Sequence, residues 1–283
     1  MMKTVPASNI RGSGGMTLLE LLISMALGVF LLLVVIMMYA AAKQTFRLQG
    51  GLTRVQEDGR VAMHLISEQV RLAGFRSPVW TNPRSGYTPL TDGSTNGTDG
   101  ANDTLQLMYM DQEDCAGVIN PVIDPETTEP RADYKRITFS VEASGILRMN
   151  CDYGANPQNL ESQIADQTIV DGVESFQVLY GVDTDFPPDY SINAWTTVDT
   201  FNPRASVCIQ SHYLCEIGNL LGSVPDGIPS SIMVGLLLAS PDAAGAESAQ
   251  EQFTILDVTF AAPDDKRFRK AFTSTIALRN LTL

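Results

Sequence analysis

The chain has 283 residues, 44% of them hydrophobic, with 32 acidic against 19 basic side chains and a net charge of −13. An acidic molecule is a poor electrostatic partner for nucleic acid or anionic lipid, so no nucleic acid is expected as a ligand. No G-x-S-x-G, P-loop or H-E-x-x-H motif occurs, so no enzyme, no cofactor and no metal are expected.

Residues 1–15 read as a polar leader that carries Lys3 and Arg11 and no acid, a charge pattern suited to the cytoplasmic side of a membrane. Gly14-Gly15 is followed by Met16-Thr17-Leu18-Leu19-Glu20, and Leu21–Ala42 then runs 22 residues without a charge. About 20 apolar residues suffice to cross a bilayer as a helix. A secretory signal has a shorter apolar run with the cleavage site after it. Here any cut at the Gly-Gly pair would precede the run and leave it on the mature chain. Glu20, near the start of that run, would cost several kcal/mol in hydrocarbon without a partner. Two readings of it coexist. Thr17-x-x-Glu20 fits a helix capping box. A cut between Gly15 and Met16 would also create a free amino terminus close to Glu20.

In these residues the segment resembles the class III signal of type IV prepilins. In that family, cleavage follows Gly and the fifth mature residue is Glu, positions held here by Gly15 and Glu20. The first mature residue, usually Phe, is Met16. The resemblance implies cleavage by a prepilin peptidase and N-methylation of Met16. Removing Lys3 and Arg11 with the leader takes the net charge to −15.

No Pro occurs from Thr17 to Ala73, so one helix can run through the apolar stretch and on to Ala73. At about 1.5 Å per residue it would be roughly 85 Å long. Beyond the membrane stretch, Leu48, Leu52, Val55, Gly59, Ala62, Ile66, Val70 and Ala73 recur every three or four residues, one helical face. Gly50-Gly51 is a weak point that could act as a hinge between the membrane half and the head half. Gly74, Phe75 and Pro78 form a stop signal.

Residues 76–103 read as loop. Strands are expected at Thr104–Met110, Arg136–Glu142, Ile146–Cys151, Gln167–Val170, Ser175–Val182, Ser231–Ala239, Phe253–Phe260 and Ala271–Arg279, with a hairpin at Ala143-Ser144-Gly145. The stretch SPDAAGAESAQ after Ala239 reads as loop. The expected fold is α+β and pilin-like: a long N-terminal helix, membrane-spanning in its first half, packed on a mostly antiparallel sheet. The expected organisation is a leader at 1–15, the helix at 16–74 with its transmembrane part at about 18–42, and a head at 75–283.

Four later stretches are similar to the PilW family of minor pilins: ISEQVRLAGF at 66–75, DTLQLMYMDQEDCAG at 103–117, IVDGVESFQVLYGVDTD at 169–185 and FTSTIALRN at 272–280. Residues 203–227 match least. The resemblance implies a component of type IV pili that acts in fibre initiation and assembly, supporting twitching motility and adhesion. Its implied partners are the prepilin peptidase, other minor pilins, the major pilin and the inner-membrane assembly platform. The implied location is a single pass through the inner membrane with a periplasmic head, and afterwards the fibre. A minor pseudopilin of type II secretion and a tip-exposed adhesion module are the alternatives.

Four cysteines on a translocated head suggest two disulfides. Cys208 and Cys215 are too far apart on a straight helix to bond, so a bond between them requires a turn. Cys115 and Cys151 would then form the other pair, one of three available pairings. His212 makes Cys208-x3-His212-x2-Cys215 look like a metal site, but three ligands without a fourth are weak. Asp183, Asp185 and Asp189 could hold calcium or simply form a solvated acidic loop; the Gly and closing Glu of an EF-hand are missing.

Overall fold

The structure, a computed structural model, describes residues 17–75, 90, 94–97, 100–125, 128–185, 189–198, 228–243 and 252–280. The chain divides into two compact units, Met1–Arg47 and Leu48–Leu283. One helix, α1 (Leu18–Leu72), contributes to both. Gly50-Gly51 lies inside it, with helical backbone on both sides. Among the described residues of the first unit the apolar side chains face outward all round the helix, from Leu18 to Tyr39. That part of α1 is long and apolar enough to cross a membrane.

In the second unit α1 behaves as an amphipathic core helix. Val55, Gly59, Ala62, Ile66 and Val70 are its buried residues, the spacing expected of one stripe. Gly74 adopts φ 80°, the left-handed conformation that ends a helix and that Gly adopts without strain. Its amide donates to Met108 O, and the Met110 amide donates to Phe75 O, so the chain leaves the helix along a strand edge.

Among the described residues ten strands come after the helix: β1 (Leu105–Asp111), β2 (Asp133–Val141), β3 (Leu147–Gly154), β4 (Glu161–Val170), β5 (Val173–Asp183), β6 (Ala194–Thr196), β7 (Ile228–Ala243), β8 (Gln252–Ile255), β9 (Val258–Ala261) and β10 (Arg267–Ala277). They form two four-stranded sheets, ordered β1-β2-β3-β4 and β10-β7-β5-β6, and the hairpin β8-β9. Every pairing among them is antiparallel. A single core joins the helix stripe to both four-stranded sheets, with Ile66, Leu107, Phe139, Phe176 and Leu236 among its members. Asp103 stitches the sheets together. Its amide donates to Phe176 O and its carboxylate accepts from the Val178 amide at 2.7 Å, so it completes the open edge of β5.

The strand expectations start β2 and β10 three and four residues late, at Arg136 for Asp133 and Ala271 for Arg267, and differ further at four places. Phe253–Phe260 is not one strand but the hairpin β8-β9, turned at Leu256-Asp257 with Leu256 at φ 55°. Asp257 is a common turn residue, but no Gly, Asn or Pro accompanies it, so the sequence reads straight through. β4 begins at Glu161, before the expected Gln167, because its first half is polar and solvent-facing on a sheet edge. β7 continues through Pro241 into the expected loop. Pro241 sits where the register with β10 shifts between Arg267 and Arg269, so its missing N–H breaks no ladder bond. The three-residue strand β6 went unpredicted.

Candidate functional site

An exposed apolar surface lies at the start of α1. Thr17 caps the helix. The Glu20 amide donates to Thr17 Oγ1 at 3.3 Å, and the Thr17 amide donates to Glu20 Oε2 at 3.5 Å, which are the two arms of a capping box. The Ser24 hydroxyl donates to Glu20 O at 2.7 Å, and the Thr45 hydroxyl to Ala41 O at 3.0 Å. These back-bonds satisfy hydroxyls that would otherwise be stranded on an apolar surface. Glu20 itself is exposed. The arrangement presents one carboxylate on an uninterrupted apolar cylinder, a surface that demands either lipid or other helices. Gly15 and Met16 lie outside the described residues.

In the head, Cys115 and Cys151 form a disulfide, with Cα atoms 5.9 Å apart. It pins the loop after β1 to the middle of β3, and the Cys115 amide donates to Gln163 Oε1 on β4 at 2.9 Å. Cys208, His212 and Cys215 lie outside the described residues. Further along the same loop, Asn120 Nδ2 donates to Asp133 Oδ2 at 2.9 Å, and Arg131 grips that carboxylate from Nε at 2.7 Å and Nη2 at 2.9 Å. Tyr153 packs beside them, its phenol pushed up to about 12 by burial and by the Asp133 charge. Lys135 closes on Asp111 at 2.6 Å.

Asp183, Asp185 and Asp189 do come together, each offering a carboxylate oxygen within 4.8 Å of the others. Asp183 is buried and accepts from the amides of Asp185 at 2.9 Å and Tyr190 at 2.5 Å. Asp189 accepts from the Ser191 amide at 2.8 Å, and its carboxyl is held below the usual range by bonding to Ser191. The carboxylates thus act as acceptors that fold the loop. His64 is exposed on α1, 3.4 Å from Glu68.

Two ties went unread in the sequence. Asn280 Nδ2 donates to Arg71 O at 2.9 Å, capping the carbonyl end of α1 from 209 residues away. Arg269 Nε donates to Glu174 Oε2 at 2.6 Å and Nη2 to Asp265 Oδ2 at 2.7 Å, linking β10 to the start of β5 across β7. An isolated Asn near the C-terminus and a basic strand start carry no local signal of either role.

The family described as Type IV Pilus-assembly protein W, or PilW, matches residues 138–280, just over half of the chain. The chain belongs to the PilW family. The matched span begins within β2 and reaches the Asn280 cap, so it takes in most of both sheets. The chain is also similar to a solved type IV-like pilin from Thermus thermophilus, with 14% identity over 81% of this chain and 98% of that one and a TM-score of 0.45. No curated protein matches it. PilW membership and the apolar helix together make this a membrane-anchored protein associated with type IV pili.

Proposed function

We propose that this PilW-family protein is a minor pilin that initiates and assembles type IV pili. Prepilin peptidase cuts between Gly15 and Met16, Met16 is N-methylated, and residues 1–15 are lost. About residues 18–42 then span the inner membrane once, with the head, residues 75–283, in the periplasm. The carrying observation is the start of α1: apolar side chains exposed on every side and one carboxylate, Glu20, among them.

Assembly follows from that surface. In the bilayer the Leu, Val, Ile and Met side chains meet lipid. In a fibre they meet the same side chains of neighbouring helices, at little change in apolar exposure. Glu20 decides between the two states. Paired with an ammonium about 4 Å away at an effective dielectric near 20, it gains about 4 kcal/mol. That pairing sets axial register as well as stability. Other minor pilins, the major pilin and the assembly platform are the partners this role requires, and the role is structural rather than enzymatic.

The test is a count of surface fibres by electron microscopy in wild-type, Glu20→Ala and deletion strains, with and without the retraction motor. The expected result is fewer fibres in both altered strains and partial recovery without retraction. Normal fibres with impaired protein secretion would move the protein to a type II secretion pseudopilus. Normal fibres with lost attachment alone would make it an adhesion module.

A further inference from the structure

An open groove of 460 Å³ lies in the head, along the C-terminal half of α1 and β10. Its floor is the Phe272 ring, seated against the helix where Gly59 leaves room. Phe272, Thr273 and Ser274 all line it, and consecutive strand residues point to opposite faces. Lys270, Phe272 and Ser274 share one face of β10 and Thr273 lies on the other, so the groove runs along that face and reaches past the strand at Thr273. β10 is the end strand of its sheet, bonded only to β7 among the described residues. Such an edge offers a row of unsatisfied backbone groups.

The charge of the groove opposes that of the protein. Its titratable lining consists of Arg60, His64, Arg71 and Lys270, with no acid, in a chain of net charge −13. Among the described residues Arg60, Arg71 and Lys270 make no ion pair, while His64 lies beside Glu68. Lys270 Nζ sits 5.4 Å from the centre of the Phe272 ring, and both residues line the groove.

We propose that this groove docks an extended acidic segment of a neighbouring pilus subunit, which adds a strand to β10 while its carboxylates meet Arg60, Arg71 and Lys270. The partner's class rests on the pilus reading above. An open strand edge recognises a polypeptide backbone, and basic side chains beside it select acidic residues. Pairing of two β10 edges from identical copies would bring Lys270 and its basic neighbours together, so the complementary partner is a different surface. The acidity of the rest of the chain disfavours nucleic acid.

The probe is a fluorescent twelve-residue peptide alternating Glu with Thr, titrated by anisotropy against the full-length protein in neutral detergent micelles. Binding is expected, weakened at least tenfold by Arg60→Glu/Lys270→Glu, less by Arg60→Gln/Lys270→Gln, and at least tenfold by N-methylating alternate peptide amides. A peptide with Lys in place of Glu should not bind. No binding of the acidic peptide, or equal binding by well-folded charge variants, overturns the proposal. Equal binding of the N-methylated peptide removes the strand pairing, and tighter binding of a twelve-thymidine oligonucleotide replaces the peptide with a nucleic acid; either overturns it. Fibre counts test the pilus reading without using the groove. Lost fibres on deletion with no peptide binding overturn the groove alone, and peptide binding with normal fibres on deletion overturns the fibre-initiation reading alone.

Discussion

Gly59 and Phe272 are in mutual contact: a Cβ on Gly59 would overlap Cε2 and Cζ of the Phe272 ring. The absence of a side chain at one position on α1 sets how closely β10 approaches the helix. Gly59→Leu should destabilise the protein by about 1–3 kcal/mol, the range for overpacking a close contact. Phe272→Ala in the same chain should recover at least part of that loss. Chemical denaturation of the two single variants and the double variant gives the coupling directly. Additive effects would show that the two residues do not share the space.

The Cys115–Cys151 bond closes 36 residues of chain. A loop of that size constrains the unfolded state by about 4 kcal/mol in the chain-entropy account. Cys115→Ser/Cys151→Ser should therefore lose about 2–4 kcal/mol, and the loop carrying Asn120 should exchange its amides faster. Denaturant titration and hydrogen exchange check the two effects. Non-reducing peptide mapping of the wild type should return this pair and, if the second pairing holds, Cys208 with Cys215.

The Arg269 guanidinium donates to Asp265 and holds its carboxyl below the ordinary range. A carboxyl lowered on folding adds stability that is complete above its unfolded pKa, about 4, and is lost as pH falls through the folded value. Asp265→Asn should lower the melting temperature at pH 7, and the gap between the two proteins should close as pH falls through the lowered folded value. A gap that stays constant from neutral to strongly acidic pH would mean that the carboxylate charge plays no part.

The mature chain should begin at Met16 and carry a methylated amino group, read by mass spectrometry of protein taken from the membrane. Gly15→Ala should slow cleavage less than a bulky change, because the requirement for a small residue is steric. Glu20→Ala should leave both cleavage and the head unchanged while fibre number falls. A mature chain retaining residues 1–15 would end the processing proposal.

Much of the molecule was decided by its linear pattern. The apolar run after Glu20, the capping box at Thr17, the stripe from Val55 to Val70 and the stop at Gly74 depend on neighbours within a few residues, so spacing reveals them. The Gly145 hairpin, at φ 79°, is likewise a local event. The tertiary structure alone decided the rest. Leu256-Asp257 turns because the β8-β9 pairing demands it, and Ser240–Ala243 is strand because β10 and Arg267 hold it there. Asn280 becomes a helix cap, and Gly59 a seat for Phe272, only after the long intervening chain has folded. The pairing of β10 with β7, leaving its other edge beside a basic groove, is of the same kind. Such relationships join residues distant in sequence, and periodicity reports only which face a residue occupies, not what will meet it.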